Sequence, residues 1–499
     1  MVQKIKVSFP SLDRSVQVDK GDNLLEVIRL AGIDIDADCG SVGRCGKCKV
    51  IINGKPALAC LTYVLHDMFV EIPSATQAAE YDILLDSDDS GSASSQTSES
   101  GTEQSSYVIA LDIGTTTVVA KLLDKTSGRE LASFAELNAQ LSFGADVISR
   151  INASLDDSSE LSKLITEQID RAIVTMLEEK GIDGSQVEGM VLAGNTTMTY
   201  ILLGLPCRSL GFVPFEPAYT YPLCHPYQEI FKSDTLNCEV VVLPHISAYV
   251  GGDLTAGLIA RQHDQDFILM DMGTNGELLF KRGDRLVCTA TAAGPAFEGG
   301  NIECGTGSMK GAISSVSYEN GDFKFKTIGN ASPIGICGSG ILDLMAVLIQ
   351  EDYIDSTGLF TDKVPDERII LYADPDDPAK EVYFSQKDAR QFQLAKSAVR
   401  TGLEIISEEM GGEPPAQVFL AGGFGQNLNP ISAIAVGMLP ENFKDIILAI
   451  GNSCLSGTVK AALDDSLLDA IEERTANGHE INLAAHKRFN DLFMDHMYF

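Results

Sequence analysis

The sequence predicts an α/β protein with two folded parts, a small β-rich module over residues 1–83 and a larger α/β body over residues 107–499. Three observations predict this division. Four cysteines lie close together within residues 39–60 of a chain that has 11. A Ser-rich, acidic stretch at residues 84–106 separates the module from the body. Beyond it, apolar strand-like runs alternate with longer helical patterns, as in α/β folds, and one strand–turn motif occurs twice.

The N-terminal module has the element order of a β-grasp fold. Residues 23–30 have apolar side chains at helical spacing, and Asp22 is the expected N-cap. Strands, recognised by alternating apolar and polar side chains or by short apolar runs, are predicted near residues 4–9, 15–18, 49–52 and 68–72. Strand, strand, helix, cysteine loop and further strands is the order of a β-grasp ferredoxin.

The four cysteines are spaced like the ligands of an iron–sulfur cluster. Three of them, in a C-x5-C-x2-C pattern, would come from one loop and the fourth from the next element. The glycines between them allow backbone N–H groups to turn toward inorganic sulfide. We therefore predict a [2Fe–2S] cluster bound by Cys39, Cys45, Cys48 and Cys60. An all-thiolate zinc site is the alternative for the same four residues.

Residues 84–106 are predicted to form a flexible linker. Within residues 86–106, eleven side chains are Ser or Thr, five are acidic and none is Lys or Arg. Nothing apolar larger than Ala93 is present, so the segment cannot bury enough surface to order itself. As a flexible chain it would have a root-mean-square span of about 25–28 Å. Such a tether would let the module reach more than one place on the body.

The repeated motif of the body predicts phosphate binding. An apolar strand ends in Asp-x-Gly-Thr at Asp112 and again at Asp271, 159 residues later. Gly and Thr in a tight strand–strand turn present backbone N–H groups and hydroxyls to phosphate oxygens. The Asp at each strand end would hold Mg²⁺ through water, because Mg²⁺ keeps much of its hydration shell. The predicted binding residues of the two turns are Asp112, Gly114, Thr115, Thr116, Thr117, Asp271, Gly273, Thr274, Asn275 and Gly276.

A third element completes the predicted nucleotide site. The apolar strand at residues 418–421 leads into Gly422, Gly423 and Gly425, which would let the backbone pass close under a nucleotide. The chain has no G-x-x-x-x-G-K-[ST] sequence, so it is not a P-loop enzyme. Ordinary hairpin turns are the structural alternative for all three elements.

The order of these motifs, LDIGTTT, DMGTNGE and LAGGFG, resembles the ATPase superfamily of actin, sugar kinases and heat-shock chaperones. The resemblance implies two duplicated, ribonuclease H-like α/β subdomains that close around ATP. It also implies an acidic residue at a helix start that positions the attacking water. Asp253 is our candidate for that carboxylate, with a helix N-cap as the alternative, and Glu277 is a second candidate. Asn195 and Thr196 are expected to face the nucleotide, or else to cap a helix.

The module and the body together resemble the reductive activators of corrinoid proteins. The supporting stretches, which spread over most of the chain, are residues 59–63, 144–150, 192–198, 293–299 and 336–342. The resemblance implies a [2Fe–2S] cluster, ATP and Mg²⁺ as cofactors, and ATP-dependent reduction of Co(II) to Co(I) in the corrinoid protein of a methyl-transfer system. An upstream low-potential electron donor and a homodimer are implied as well. Longer members insert another domain between linker and ATPase, for which this chain has no room.

Some residues of these stretches have plain structural interpretations. In the stretch at residues 144–150, Asp146 and Arg150 are expected to combine core packing with a surface ion pair. Fixing the geometry between subdomains, or contacting the partner, is the alternative for this loop. The cysteines of the body in apolar or Gly-rich surroundings are expected to be buried small residues: Cys288, Cys304, Cys337 and Cys454.

The acidity of the chain limits its partners. A formal net charge of −33 disfavours nucleic acid and anionic membrane surfaces, whose negative charge it would repel. Solubility alone explains the charge, with an acidic face that steers a basic partner as the alternative. No apolar run is long enough for a membrane span and the first residues lack a signal-peptide pattern, so we expect a cytoplasmic protein.

Two other functions are compatible with the same motifs. One is a small-molecule kinase of the same superfamily with a fused redox domain, which would phosphorylate a small acceptor. The other is an ATP-gated electron donor to another low-potential enzyme, such as a dehydratase.

Overall fold

The computed structural model describes residues 4–12, 14–33, 35, 48–73, 106–144, 146–155, 158–261, 265–273, 276–375 and 380–499. Four predicted site residues, Cys39, Cys45, Thr274 and Asn275, lie outside these ranges, as does the predicted linker up to Ser105. Among the helices in the described ranges, none combines the length and the apolar character that crossing a membrane requires.

The module packs one helix against a five-stranded mixed sheet. Its elements are β1 (Lys4–Phe9), β2 (Arg14–Asp19), α1 (Leu24–Leu30), β3 (Lys49–Ile52), β4 (Lys55–Leu58) and β5 (Met68–Glu71), with the sheet order β2-β1-β5-β3-β4. The side chain of Asn23 accepts the N–H of Leu25 at 3.0 Å and caps α1. The expectation that Asp22 caps this helix is wrong, because its carboxylate accepts the N–H of Asp19 at 2.9 Å instead. The predicted element order is confirmed.

The body consists of two halves that follow one another in the chain. The first half contains β6 (Tyr107–Ile113), β7 (Thr117–Asp124), β8 (Glu130–Leu137), α2 (Val147–Ser154), α3 (Ser159–Lys180), β9 (Val187–Gly194), α4 (Thr196–Leu202), α5 (Arg208–Gly211), β10 (Leu223–Pro226), α6 (Tyr227–Phe231), β11 (Glu239–Val242) and α7 (Gly252–Ala260).

The second half is larger and includes two small additional sheets. It contains β12 (Phe267–Met272), β13 (Gly276–Arg282), β14 (Arg285–Thr291), β15 (Ala312–Glu319), β16 (Asp322–Thr327), β17 (Gly335–Ile336), α8 (Gly338–Gln350), β18 (Arg368–Ala373), β19 (Glu381–Ser385), α9 (Gln386–Glu409), β20 (Gln417–Ala421), α10 (Gly422–Asn427), α11 (Pro430–Ala435), β21 (Ile447–Gly451), α12 (Ser453–Leu463), α13 (Ser466–Ala476), β22 (Gly478–Glu480) and α14 (Phe489–Asp495).

Both halves are built around the same arrangement of five strands. The sheet orders are β10-β11-β9-β6-β7-β8 and β21-β20-β12-β13-β14-β22. In each half, the first three strands form an antiparallel meander. Two later strands then extend the sheet in parallel from the first strand, β9 and β11 in one half, β20 and β21 in the other. The duplicated actin-like fold that the repeated motif predicts is therefore confirmed.

Helices α7 and α12 lie between the two sheets and form the seam of the body. Their buried side chains belong to one core cluster with strand residues of both sheets. The helices approach closely because glycines lie at the contact. A Cβ atom at Gly457 of α12 would lie 1.7 Å from the carbonyl oxygen of Ala256 on α7. A Cβ atom at Gly257 would lie 2.6 Å from a methyl group of Leu269 on β12.

The seam gives a first prediction. Replacing Gly457 by Ala should destabilise the body by about 1–3 kcal/mol or more, since the added methyl group forces two helix backbones apart. The transition of the body in urea, followed by circular dichroism, measures this effect. Gly189→Ala on β9 is the matched control, because a Cβ atom there meets nothing within 4 Å. Equal midpoints for the two variants would contradict the close helix contact.

Candidate nucleotide and cluster sites

Two predicted cluster ligands lie side by side in the described part of the module. Cys48 precedes β3, and Cys60 lies in the 3-10 turn Ala59–Leu61 after β4. The N–H of Ala59 donates to the carbonyl of Cys48 at 2.9 Å, and the side chain of Asn23 donates to that of Cys60 at 2.9 Å. Their Sγ atoms are 3.2 Å apart and both residues are buried. This is too far for a disulfide, which needs about 2.05 Å, and it fits thiolates that converge on a cluster.

The first phosphate turn, residues 114–117, joins β6 to β7. The N–H of Gly114 donates to the carbonyl of Thr117 at 2.8 Å and closes the turn. A Cβ atom at Gly114 would lie 2.9 Å from the same oxygen, so the turn requires glycine there. The side chain of Asn138 donates to the carbonyl of Gly114 at 2.8 Å. The turn is therefore held in one conformation from both sides.

Asn195 connects the first phosphate turn to a helix. Its side-chain amide donates to the hydroxyl of Thr115 at 2.9 Å, and its Oδ1 accepts the N–H of Met198 at 3.0 Å and so caps α4. The helix-cap interpretation of Asn195 is confirmed, and its contact with the nucleotide remains a prediction. Thr196 is 1 % exposed and its hydroxyl donates to the carbonyl of Ser247 at 2.9 Å, which is a packing role.

Arg150 of α2 holds the same turn from a second side. Its guanidinium is fully buried and donates to the carbonyl of Thr115 and, at 2.9 Å, to that of Gly144. Burial lowers the pKa of Arg150 to about 10, so the side chain is still charged at neutral pH. Asp146 caps α2 by accepting the N–H of Ser149 at 2.8 Å. The stretch at residues 144–150 thus fixes the phosphate turn.

The second phosphate turn joins β12 to β13 in the other half. Asp271 lies directly opposite Glu277 in this antiparallel pair, so the two carboxylates lie on one face of the sheet. Glu277 is 7 % exposed. A Cβ atom at Gly276 would lie 2.6 Å from the hydroxyl of Thr291, so this position also requires glycine. Gly273 lies between the two strands, at the start of the turn.

The three glycines after β20 have different roles. Gly422 has a φ of +82°, which favours glycine, and a Cβ atom there would lie 2.6 Å from Oδ1 of Asp271. Gly423 is exposed, and a Cβ atom there would meet nothing within 4 Å. Gly425 packs against Leu420. Gly422 thus brings the chain next to the carboxylate, and Gly423, which is predicted to bind the nucleotide, has open space around it.

Asp112, Asp253 and Asp271 interact electrostatically across the cleft between the two halves. Burial raises the pKa of Asp253 to about 6, with a further contribution from the charge of Asp112. Burial raises the pKa of Asp271 to about 7, and both other carboxylates add to the effect. Burial also raises the pKa of Asp112. Three carboxylates that disfavour one another's ionisation fit a divalent cation as their counter-charge.

The cation is expected to contact these residues through water. Among the described residues, no three acidic, His or Cys side chains are grouped so that they could all bind one metal ion directly. Mg²⁺ keeps several of its waters, so carboxylates around it need not all touch the ion. The water-mediated contact remains a prediction.

Asp253 is the second residue of the seam helix α7. Its Oδ1 accepts the N–H of Leu254 at 2.8 Å, while Gly251 occupies the N-cap position. The structural alternative, that Asp253 is the N-cap of this helix, is therefore wrong, because Gly251 has that position; the Asp253 carboxylate lies near the charges of Asp112 and Asp271. Its role in positioning water remains a prediction.

Two residues that contact Asp112 were missed in the sequence. Asn452, the N-cap of α12, donates to Oδ2 of Asp112 at 2.8 Å. The thiol of Cys454 donates to Oδ1 at 3.0 Å, so this cysteine is buried, as expected, but it lies within the site. A signal was present, because Gly-Asn followed by Thr or Ser ends a strand at residues 194–196 and again at residues 451–453.

Comparison with known proteins agrees with this architecture. Models of the 2Fe-2S iron–sulfur cluster binding domain, of the RACo middle region and of the C-terminal domain of RACo, the ASKHA domain, match residues 10–65, 107–266 and 265–499. The chain is 29 % identical to the corrinoid activation enzyme RamQ of Eubacterium limosum, over 98 % of each chain. It is 24 % identical to the [Co(II) methylated amine-specific corrinoid protein] reductase of Methanosarcina barkeri, over 78 % of this chain and 76 % of that protein.

A solved structure extends the match to the fold. A reductive activator for corrinoid, iron–sulfur protein superposes with a TM-score of 0.70 at 28 % identity, over 99 % of this chain and 98 % of the other. Fold and site together define a redox ATPase, in which a [2Fe–2S] domain precedes an ATP-binding body of the ASKHA type. The chain belongs to the RACo family.

The family match also covers the first half of the body. The middle-region model matches residues 107–266, which form this half and contain the first phosphate turn. The alignment with RamQ spans 590 positions, more than the 499 residues of this chain, so that protein contains segments that this chain lacks.

The carboxylates give a second prediction. A raised pKa means that these carboxylates bind a proton more tightly in the folded chain than in the unfolded chain. Without a cation, the stability that this proton binding contributes is therefore lost as pH rises from about 4 to about 7. Asp271→Asn removes part of this repulsion. We expect this variant to raise the melting temperature in EDTA at pH 7.5 by at least about 2–4 °C, which is the shift that 1 kcal/mol of added stability causes in a large domain. At pH 5.5 the increase in melting temperature should be smaller.

Melting in EDTA and in Mg²⁺ distinguishes this effect from general stabilisation. In Mg²⁺ the wild-type chain should gain stability at pH 7.5, and Asp271→Asn should gain less. Asp284→Asn, at an exposed acidic residue, is the control and should change neither measurement. A melting temperature for Asp271→Asn that falls in EDTA at pH 7.5 would contradict the proposed repulsion.

Proposed function

We propose that this protein reduces the Co(II) of a corrinoid protein to Co(I) in an ATP-dependent reaction. The observation that supports this most strongly is the combination of converging thiols in the module with a carboxylate-lined phosphate site in the body. The relatives named for corrinoid activation and for Co(II) corrinoid-protein reduction match most of the chain with the same arrangement. A corrinoid protein is accordingly the proposed substrate.

The proposed division of labour follows the two parts of the chain. When bound, the [2Fe–2S] cluster supplies one electron to Co(II), and Mg²⁺–ATP supplies the free energy of binding and hydrolysis. Cys48 and Cys60, together with Cys39 and Cys45, would hold the cluster. The two phosphate turns and Gly423 hold the nucleotide between the halves of the body.

The residues around the cleft have separate proposed roles. Asp112 and Asp271 orient the hydrated Mg²⁺ from the two halves. Asp253, at the start of the seam helix α7, positions the attacking water. Glu277, opposite Asp271, is the second candidate for this role. Thr115 and Thr117 contact phosphate oxygens.

Several further features belong to the same proposal. Residues 1–83 act as the electron-transfer module and residues 84–106 as its tether to the body at residues 107–499. An upstream low-potential donor returns the cluster to its reduced state after each electron has left. We also propose a homodimer and a cytoplasmic location.

The third prediction tests the coupling. With reduced protein and a panel of purified Co(II) corrinoid proteins under anaerobic conditions, Co(I) formation followed by absorbance should require ATP for at least one panel member. Asp253→Asn should bind ATP but lose about 10²–10⁴-fold in hydrolysis, the usual contribution of a positioned base. Asp284→Asn is the matched control. Equal rates and extents of cobalt reduction with and without ATP would exclude the proposed coupling.

The fourth prediction tests the cluster. Anaerobically purified protein should contain about two iron ions and two acid-labile sulfides per chain. Cys60→Ser should lose most of both, because a thiolate ligand is removed. Cys224→Ser is the control, since Cys224 is an exposed cysteine of the body. Zinc in place of iron in the wild-type protein would refute this assignment.

A further inference from the structure

Three successive carbonyl groups of the first phosphate turn are held from behind. The side chain of Asn138 donates to the carbonyl of Gly114, and its backbone N–H donates to that of Thr116, both at 2.8 Å. Arg150 donates to the carbonyl of Thr115, which lies between them. Because Asn138 and Arg150 are both buried, these carbonyl groups are directed toward the interior of the first half.

The N–H groups of the turn are directed the other way. In a trans peptide the carbonyl and the following N–H point in opposite directions. Holding the carbonyls of Gly114 and Thr115 therefore directs the N–H groups of Thr115 and Thr116 away from the interior. In the described part of the chain, neither of these two N–H groups makes a hydrogen bond. Successive free N–H groups in a turn form a concave anion-binding site, so the backbone of the turn has the arrangement that a phosphate group requires.

Arg150 is a buried cation whose hydrogen-bond acceptors are all neutral. Its side chain is 0 % exposed. The acceptors are three oxygens and one sulfur: the carbonyls of Gly144 and Thr115, Oε1 of Gln140 and Sδ of Met198. Asp146 lies near enough to favour the charge of Arg150, but its two carboxylate oxygens accept the N–H and the hydroxyl of Ser149 instead. An incompletely paired charge is costly to bury, so a counter-charge near the turn is favoured.

The position of this charge favours a phosphate group as the counter-charge. Arg150 contacts the turn through the carbonyl of Thr115, on the side opposite the free N–H of Thr116. Because Arg150 is fully buried, water screens its charge weakly, and the charge acts beyond the groups that it touches. The three buried carboxylates of the cleft would repel a phosphate group, and the charge of Arg150 offsets this repulsion.

We propose that Arg150 is a positioning and specificity residue for the nucleotide. It directs the N–H of Thr116 at a phosphate group, and its charge makes the site prefer ATP to an uncharged ligand such as adenosine. Arg150 acts through the turn and not by contact with the nucleotide. This inference rests on the proposed function only in placing ATP at the first phosphate turn, and it does not depend on the corrinoid protein.

Binding of a non-hydrolysable ATP analogue and of adenosine to the full-length protein, measured by calorimetry in Mg²⁺, tests this role. Arg150→Gln removes the charge, whereas Arg150→Lys retains it without the guanidinium fork. We expect Arg150→Gln to raise the Kd for the ATP analogue at least about tenfold, as for a charge acting at an effective dielectric constant near 20, and to change the Kd for adenosine less than about twofold. Arg150→Lys should lie closer to the wild type. Arg171→Gln, at an exposed residue of α3, is the matched control and should change neither Kd.

A further variant leaves Arg150 in place. Gln140→Glu puts a carboxylate at an acceptor 3.4 Å from the guanidinium and so pairs its charge. It also loses the hydrogen bond from Nε2 of Gln140 to the carbonyl of Leu161, which affects stability but not the ratio of the two Kd values. We expect this ratio to shift against the ATP analogue. The variant also tests the proposal if Arg150→Gln does not fold.

The outcomes separate an effect of charge from a purely structural one. Equal losses of affinity for both ligands in Arg150→Gln would show that Arg150 only maintains the shape of the turn, as would equal Kd values for the ATP analogue in Arg150→Lys and Arg150→Gln. An unchanged ratio in Gln140→Glu overturns the proposal as well. If the expected ratios are found but the wild type reduces no corrinoid protein, the proposed function fails and this inference stands. If cobalt reduction requires ATP and the ratios do not shift, this inference alone fails.

Discussion

The burial of three carboxylates, Asp112, Asp253 and Asp271, is the constraint on which the proposed nucleotide site depends. One carboxylate comes from the first half, one from the seam helix and one from the second half. Burial raises the pKa of all three, so the cleft has a deficit of positive charge that a hydrated Mg²⁺ can fill. We expect the binding of a cation to offset this buried negative charge and to draw the two halves together.

The seam restricts which movements can follow from that event. Asn452 and Cys454, at the start of α12, each donate a hydrogen bond to one carboxylate oxygen of Asp112. Glycines at the helix contact allow α12 to pack closely against α7. Helices packed this tightly do not slide past one another without loss of contacts. Closure is therefore expected to move the outer parts of the halves, including the helices α2 and α4 that contact Thr115, more than the seam itself.

The sequence predicted what is encoded locally. Two Asp-x-Gly-Thr turns were sufficient to predict the duplicated fold, because each belongs to a short strand–turn–strand unit that can be recognised locally in the sequence. The contact between Asn452 and Asp112 could not be predicted in this way, since it joins residues 340 positions apart. Asp22 and Asn23 are both good cap residues, and only tertiary contacts decide between them.

The core of the module bears on how ATP can influence electron transfer. In the described part of the chain, that core contains only residues between Ile5 and Ile72 and shares no buried side chain with the body. The proposed cluster ligands Cys48 and Cys60 belong to this core, whereas the three carboxylates belong to the body. In the proposed reaction, ATP would therefore act in one folded part of the chain and the electron would leave from another.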